Sequence, residues 1–190
     1  MEKYTIPAVR MALVTLVVLG LLYPLAVTGI AQLTMPVKAN GSLVSSGGAV
    51  VGSVLIGQKF TQAKYFHGRP SAAGEGGYDA QASGASNLAP TSKALLGAVT
   101  KQVGNAKRDF KLLPGSVPVD MVTASGSGLD PDITPANAYA QVDAVAGARG
   151  MTAEAVRRIV DENLIHRQLG FLGEPRVNVL VVNMALDAAK

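Results

Sequence analysis

An uninterrupted run of 23 uncharged, mostly apolar residues near the N-terminus restricts the fold of this chain more than any other feature. The run spans residues 11–33 and reads MALVTLVVLGLLYPLAVTGIAQL. As an α-helix rising about 1.5 Å per residue it would be roughly 34 Å long, enough to cross a hydrocarbon core of about 30 Å. Because lipid offers the backbone no hydrogen-bond partners, such a run becomes helical despite its proline and β-branched residues. The sequence therefore predicts one transmembrane helix.

Three residues of this helix are candidates for contact with other membrane helices. Pro24 leaves the carbonyl of Gly20 without its helical donor, so we expect a kink there. Gly20 and Gly29 are small enough to let a second helix approach closely, although their spacing is not that of a GxxxG motif.

The charges that flank the span predict its orientation. Lys3 and Arg10 lie in the ten-residue head, whereas only Lys38 follows closely on the other side. This asymmetry predicts a cytoplasmic head, residues 1–10, with the chain after about residue 34 outside. A signal peptide cleaved near residue 26 or 31 is the alternative. The apolar run is longer than the usual roughly 7–15 residues, and no clean A-x-A site follows it.

Composition limits what the remainder of the chain can be. The 190 residues include no cysteine, which favours a bacterial periplasmic or cell-surface setting over a disulfide-stapled secreted module. The net charge of +4 is small and its cations are scattered, so no nucleic-acid surface is expected. The length after the span suits one domain with a real core. Residues 34–48 are predicted to be a linker or rim, and residues 49–190 a soluble domain.

The first half of this domain combines a strand, a long loop and a helix. AVVGSVLI, residues 49–56, predicts a strand buried on both faces. About 35 residues rich in Gly, Ser, Ala and Pro follow, which we expect to be disordered or ordered by a partner. Thr91–Arg108 then shows helical periodicity, and residues 119–123 predict a short strand. The predicted inward face of this helix comprises Leu95, Leu96, Val99, Val103 and Ala106.

The second half predicts two adjacent helices and a final strand. Thr134 before Pro135 is a strong helix start and Gly150 a fitting end, while Thr152 begins the next helix. RVNVLVVNMAL near the C-terminus predicts a strand over residues 177–182. The expected fold is therefore a transmembrane helix plus one α+β or α/β domain with a small sheet, a helical hairpin and long Gly/Ser-rich loops. The predicted inward residues of the two helices are Ala138, Val142, Val145, Ala146, Val156, Ile159, Val160 and Leu164.

A search for chemistry yields no catalytic constellation. The glycine cluster that begins at Gly126 stops short of GxGxxG and favours a turn with positive φ over a nucleotide cradle. Two histidines a hundred residues apart do not make a zinc site. Asp130 and Asp132 could touch a hard cation or cap the helix that begins at Thr134. Arg69, beside Pro70, could hold a carboxylate or phosphate or form a surface ion pair, while Tyr65 and Phe66 could anchor a partner or belong to the core.

Five segments in a fixed order resemble a known family. They are GSVLIGQKF, YFHGRPSA, SGASNLAPTS, VTASGSGLDPDITP and GFLGEPRVNVLVVNMAL, all behind one N-terminal span. Together they closely resemble the C subunit of the Kdp potassium-transporting ATPase, the KdpC family. The chain departs from the usual pattern of that family at Gly68, where proline is often found, and at Asp132, where histidine is frequent.

This resemblance implies a non-catalytic accessory subunit of a bacterial inner-membrane complex that imports potassium at the expense of ATP. The implied partners are a channel-like potassium-binding subunit, a P-type ATPase subunit and a small stabilising peptide. It implies no directly bound cofactor, because the partner subunits use the ATP, Mg²⁺ and K⁺. A membrane-anchored periplasmic enzyme or ligand-binding domain is the alternative. The candidate interface or motif residues are Gly20, Pro24, Gly29, Tyr65, Phe66, Arg69, Pro70, Ser86, Asn87, Ser125, Gly126 and Asp130.

Overall fold

A long apolar helix forms the N-terminal part of the chain. The computed structural model describes residues 2–113 and 115–189. Its helix comprises α1 (Glu2–Val17), a π-helical segment (Val18–Leu22) and α2 (Tyr23–Thr34). By length and composition it could cross a membrane. The π-helical segment ends directly before Tyr23 and Pro24, where the ring and the missing N–H disturb the hydrogen-bond ladder. The predicted distortion at Pro24 therefore takes the form of a π turn.

A short helix and a hairpin follow the long helix. They are α3 (Pro36–Ala39), β1 (Leu43–Ser46) and β2 (Ala49–Ser53), and the two strands form a two-stranded sheet. The predicted strand begins at Ala49 as expected, but its predicted length, to residue 56, and its predicted burial on both faces are wrong. The strand ends at Ser53, and because it has one neighbouring strand only, Val50 and Val51 remain exposed. The chain divides between Val51 and Gly52 into two compact units.

Four helices and a three-stranded antiparallel sheet form the second unit. The strands are β3 (Asp132–Ile133), β4 (Leu164–Ile165) and β5 (Arg176–Asn178). Their order in the sheet is β3-β5-β4, with Val177 of the central strand opposite both Ile133 and Leu164. The hydrophobic core lies where the last three helices pack together beside this sheet, and Phe66 from the long loop completes it. The elements in chain order are α4 (Lys93–Phe110), β3 (Asp132–Ile133), α5 (Pro135–Arg149), α6 (Ala153–Glu162), β4 (Leu164–Ile165), β5 (Arg176–Asn178) and α7 (Val179–Ala188).

The predicted ends of α5 and the start of α6 are confirmed. The hydroxyl oxygens of Thr134 and Thr152 accept hydrogen bonds from the backbone N–H groups of Asn137 and Ala155, at 3.1 and 3.2 Å. Gly150 ends α5 with a left-handed φ of 66°, which glycine adopts without steric cost. The predicted inward residues of both helices are buried, except that Leu164 lies in β4 and is half-buried.

Three further expectations need correction. The C-terminal segment is a strand only as far as Asn178, whose side chain caps α7 by accepting a hydrogen bond from the N–H of Val181 at 3.1 Å. A continuous apolar run cannot distinguish a buried strand from a buried helix. Residues 119–121 form a 3₁₀ turn instead of a strand. Only Ala106 of the predicted inward face of α4 is buried, and Leu96 points to solvent.

Candidate functional site

The long loop of residues 57–92 is held by a second loop of the same unit, residues 122–131. The backbone N–H of Gly57 donates to the carbonyl of Leu129 at 2.8 Å. The Ser71 hydroxyl donates to the carbonyl of Gly128 at 2.6 Å, and the N–H of Gly84 donates to Ser127 O at 2.9 Å. The expectation of a disordered or partner-ordered loop is therefore wrong, because these bonds order it within the chain. We call this contact the loop junction.

Arg69 and Asp130, two of the predicted candidates, meet at the centre of the loop junction. The guanidinium Nη1 of Arg69 lies 3.0 Å from a carboxylate oxygen of Asp130, and both side chains are about one quarter exposed. The same guanidinium donates to the carbonyls of Thr123 and Ala124, at 3.4 and 3.3 Å. Arg69 is thus neither a free anion binder nor a fully exposed surface pair. It joins the two loops.

Tyr78 completes this cluster and was missed by the sequence analysis. Its hydroxyl donates to the backbone carbonyl of Arg69 at 2.5 Å, and its own N–H donates to the hydroxyl of Ser71 at 2.7 Å. Burial, aided by the negative charge of Asp130, raises the pKa of the Tyr78 phenol to about 12, against an opposing effect of Arg69. The phenol therefore remains a protonated donor at neutral pH.

Buried amide side chains hold the segment that leads into Arg69. Asn183 accepts from the backbone N–H of Phe66 at 2.8 Å and donates to its carbonyl at 3.0 Å. Gln141 makes the same pair of bonds with His67, at 2.8 and 3.0 Å. Each side-chain amide thus satisfies a backbone N–H and a backbone C=O, as a neighbouring strand would do in a sheet. The one sequence signal that could have found Gln141 is a polar residue on the largely apolar inward face of α5, a face that also carries the buried Asn137.

Asp120 supports the start of α5 in the same network. Its carboxylate accepts from the backbone N–H and the hydroxyl of Thr134, at 2.8 and 3.0 Å, and from the side-chain amide of Asn137 at 3.0 Å. The expectation that Asp130 and Asp132 cap this helix is wrong. Asp130 accepts from the N–H of Asp132 at 3.0 Å and pairs with Arg69 instead.

Neither carboxylate of the D-x-D pair is open to a cation. Asp132 lies 2.8 Å from the Nε of Arg176 and accepts from the Asn178 amide at 3.1 Å. Burial nevertheless raises the pKa of Asp132, aided by the negative charge of Asp130, because the contacts with Asn178 and Arg176 do not fully offset these effects. Among the described residues, no group of three or more His, Cys, Asp or Glu side chains could hold a metal ion.

The remaining candidates serve different purposes. Phe66 is fully buried in the core. The Tyr65 hydroxyl donates to Asp187 at 3.0 Å. Burial alone would raise the pKa of that carboxyl, but the hydrogen bonds from Arg149 and Tyr65 and the nearby cations lower it. Ser125 is buried and accepts from the N–H of Gly128 at 2.9 Å.

The other predicted residues lie at the surface or in partly open positions. Pro70 is half-buried beside Arg69, while Ser86 and Asn87 are exposed and Asn87 has a φ of 50°. A Cβ atom added at Gly126 or at Gly29 would meet nothing within 4 Å, so the chain itself does not require glycine at either position. The last group, exposed on the long helix, comprises Gly20, Pro24 and Gly29.

A polar cavity of about 330 Å³ opens beside the loop junction. Lys59, Arg69 and Tyr78 line it, but their polar atoms are engaged, since Lys59 Nζ donates to the carbonyl of Gly76 at 3.0 Å. The serine hydroxyls of the junction hold backbone turns. The hydroxyl of Ser71 donates to a backbone carbonyl, and the hydroxyl of Ser125 lies 3.5 Å from that of Ser127. The geometry thus builds a rigid scaffold of loops.

Comparison with known proteins decides what this scaffold belongs to. The family model described as "KdpC: K+-transporting ATPase, c chain" matches residues 5–188. The chain belongs to the KdpC family. The loop junction and the buried amides are therefore features of a member of this family, and the resemblance found in the sequence is confirmed.

Curated relatives extend over almost the entire chain. The chain is 54% identical to the potassium-transporting ATPase KdpC subunit of Acidobacterium capsulatum over 185 residues, 95% of each protein. It is 52% identical to that of Gemmatimonas aurantiaca, covering 99% of this chain and 94% of the relative. The Mycobacterium tuberculosis subunit is 52% identical over 98% of this chain and 99% of its own length. The alternative of an anchored enzyme or ligand-binding domain is not supported.

Proposed function

We propose that this chain is the non-catalytic accessory subunit of a bacterial ATP-driven potassium importer of the Kdp type. The whole-length match to the KdpC family carries this proposal. The site geometry agrees with it, because the carboxylates and hydroxyls of the loop junction are engaged in holding the loops. ATP hydrolysis and ion binding then belong to other subunits, and this chain binds no cofactor directly.

The proposed partners are a channel-like potassium-binding subunit, a P-type ATPase subunit and a small stabilising peptide, together with the lipid around the helix. The long apolar helix supports an inner-membrane location with a single span. Lys3 and Arg10 ahead of the span favour a cytoplasmic N-terminus and a periplasmic domain. Gly20 and Gly29 remain candidates for contact with a partner helix, and among the described residues no atom lies within 4 Å of a Cβ added at Gly29.

Deletion of the gene tests the functional proposal. We expect loss of growth at micromolar potassium, restored by the intact chain, and co-purification of the tagged chain with a P-type ATPase from detergent. Normal uptake without the chain, or a chain that purifies alone, would contradict the proposal. ATP binding by the purified chain at physiological concentration would contradict the absence of a direct cofactor.

The absence of native cysteine provides a clean test of orientation. Lys101→Cys, on the exposed side of α4, should react with a membrane-impermeant maleimide in intact cells. Lys3→Cys, in the head, should react only after the membrane is disrupted. The reverse labelling pattern would exclude the proposed topology.

A further inference from the structure

The loop between β4 and β5 carries an apolar tip that its own unit leaves uncovered. Leu169, Phe171 and Leu172 are 83%, 68% and 48% exposed, and every residue from 165 to 174 is exposed. Single exposed apolar residues are ordinary, but three large ones within four positions at the end of a loop are not. We call these three residues the apolar tip.

This tip is held in one conformation by its own backbone. Gln168 and Leu172 exchange two hydrogen bonds of 2.9 Å in an isolated antiparallel bridge, and Arg167 pairs with Glu174 at 2.6 Å at the base. Leu169 has a φ of 53°, a left-handed conformation that costs a leucine roughly 1–2 kcal/mol. A strained backbone conformation at a residue whose apolar side chain faces solvent is typical of a functional surface.

We propose that the apolar tip inserts into an apolar groove on another subunit of the same potassium-transporting ATPase. This inference rests on the proposed function and adds to it a specific contact surface. A rigid loop with exposed leucine and phenylalanine side chains suits such a groove because little conformational entropy remains to be lost on binding.

The charges near the apolar tip and its small area favour another subunit as the partner over lipid and over a second copy of the chain. Arg167 is paired with Glu174 and Arg176 with Asp132, so neither cation near the tip is left to attract an anionic lipid surface. A buried phenylalanine covers about 150–250 Å², so the tip offers on the order of 400 Å². A stable dimer needs roughly 800 Å² from each partner. A contact as small as the apolar tip can be stable only between proteins that other contacts already hold together, as is the case for subunits of one membrane complex.

Site-specific photocrosslinking in the assembled complex tests the proposal. Phe171→p-benzoylphenylalanine in the full chain, co-expressed with the other subunits, should crosslink to one of them on irradiation. The matched control is Leu113→p-benzoylphenylalanine, since Leu113 is 74% exposed and lies outside the tip. Crosslinks to a second copy or to lipid only, equal crosslinking at both positions, or none in a complex that co-purifies would overturn the inference while leaving the proposed function intact. A chain that does not co-purify would defeat both.

A second variant gives an energetic measurement. The double variant Leu169→Asn/Phe171→Ala places at position 169 a residue that tolerates left-handed φ, and it removes the two most exposed apolar side chains of the tip. We expect the chain to dissociate from the detergent-solubilised complex at least tenfold faster than the wild type, with the melting temperature of the purified chain no lower than that of the wild type, because asparagine relieves the strain at position 169. Leu113→Ser should leave both quantities unchanged. Wild-type dissociation of the double variant would overturn the inference, and so would faster dissociation explained by a lowered melting temperature.

Discussion

At the scale of single residues, Tyr78 is the group whose ionisation is most strongly coupled to the fold. Its folded pKa of about 12 lies above the ordinary value of 10.0, so it contributes stability that is complete below pH 10 and lost as the pH rises through 12. Tyr78→Phe leaves the carbonyl of Arg69 without this donor, which we expect to cost roughly 1–3 kcal/mol at pH 7. Urea denaturation between pH 7 and 12 measures both effects. The variant should lose less stability above pH 10 than the wild type, and parallel curves would contradict the assignment.

Asp120 supports the start of α5 with three hydrogen bonds. Asp120→Ala removes three hydrogen bonds to a buried carboxylate and leaves the donors of Thr134 and Asn137 unsatisfied. We expect a loss of roughly 2–3 kcal/mol in the free energy of unfolding. Asp143→Ala, at an exposed position on the same helix, is the control and should change stability by less than about 0.5 kcal/mol. Equal effects of the two substitutions in chemical denaturation would refute this role.

At the scale of elements, Gly128 is a position at which the loop junction requires glycine. Gly128 has a φ of 68°, and an added Cβ would lie 2.7 Å from backbone atoms of both Ala73 and Gly84. Gly128→Ala should therefore destabilise the domain by at least roughly 2 kcal/mol. Gly126→Ala, two residues away with open space around it, should be nearly neutral. Comparing melting temperatures separates the two, and a neutral Gly128→Ala would mean that the junction is not tightly packed.

The elements that could be predicted from sequence are those whose signals are local. The caps at Thr134 and Thr152 and the stop at Gly150 are decided by neighbouring residues, so α5 and the start of α6 were predicted correctly. The apolar run after Asn178 carries no period that separates strand from helix, and α7 was missed. The exposed strand β2 was misread for a related reason, because burial depends on neighbours that the sequence does not reveal.

The same difference between local and distant interactions decides which residues of the candidate site could be predicted from the sequence. Arg69 and Asp130 stood out separately, but their separation of 61 positions in the sequence hides that they form a pair. Gln141 and Asn183 escaped notice because their function is to hold backbone that lies 74 and 117 residues away. Side chains that serve distant backbone have no fixed spacing, so periodicity cannot reveal them.

At the scale of the whole molecule, the chain consists of two units with different requirements for stability. The first, through Val51, contains the long apolar helix, whose described side chains are almost all exposed in the isolated chain. Such a helix is stable in lipid, where its side chains meet hydrocarbon and its backbone bonds are internal. The second, from Gly52 onward, contains every member of the hydrophobic core, from Phe66 to Leu186. Membrane insertion and domain folding are therefore separable properties of this chain.

Removing the first unit should leave the second folded. A fragment that begins at Gly52 retains the whole core and the loop junction, so we expect a cooperative thermal transition within a few degrees of that of the domain in the full chain in detergent. Circular dichroism of both proteins measures this. Asp120→Ala introduced into each should lower the two melting temperatures by the same amount, because the network around α5 lies entirely in the second unit. A fragment with the spectrum of an unfolded chain would show that the core depends on the N-terminal unit, and unequal shifts would show that the two units are coupled.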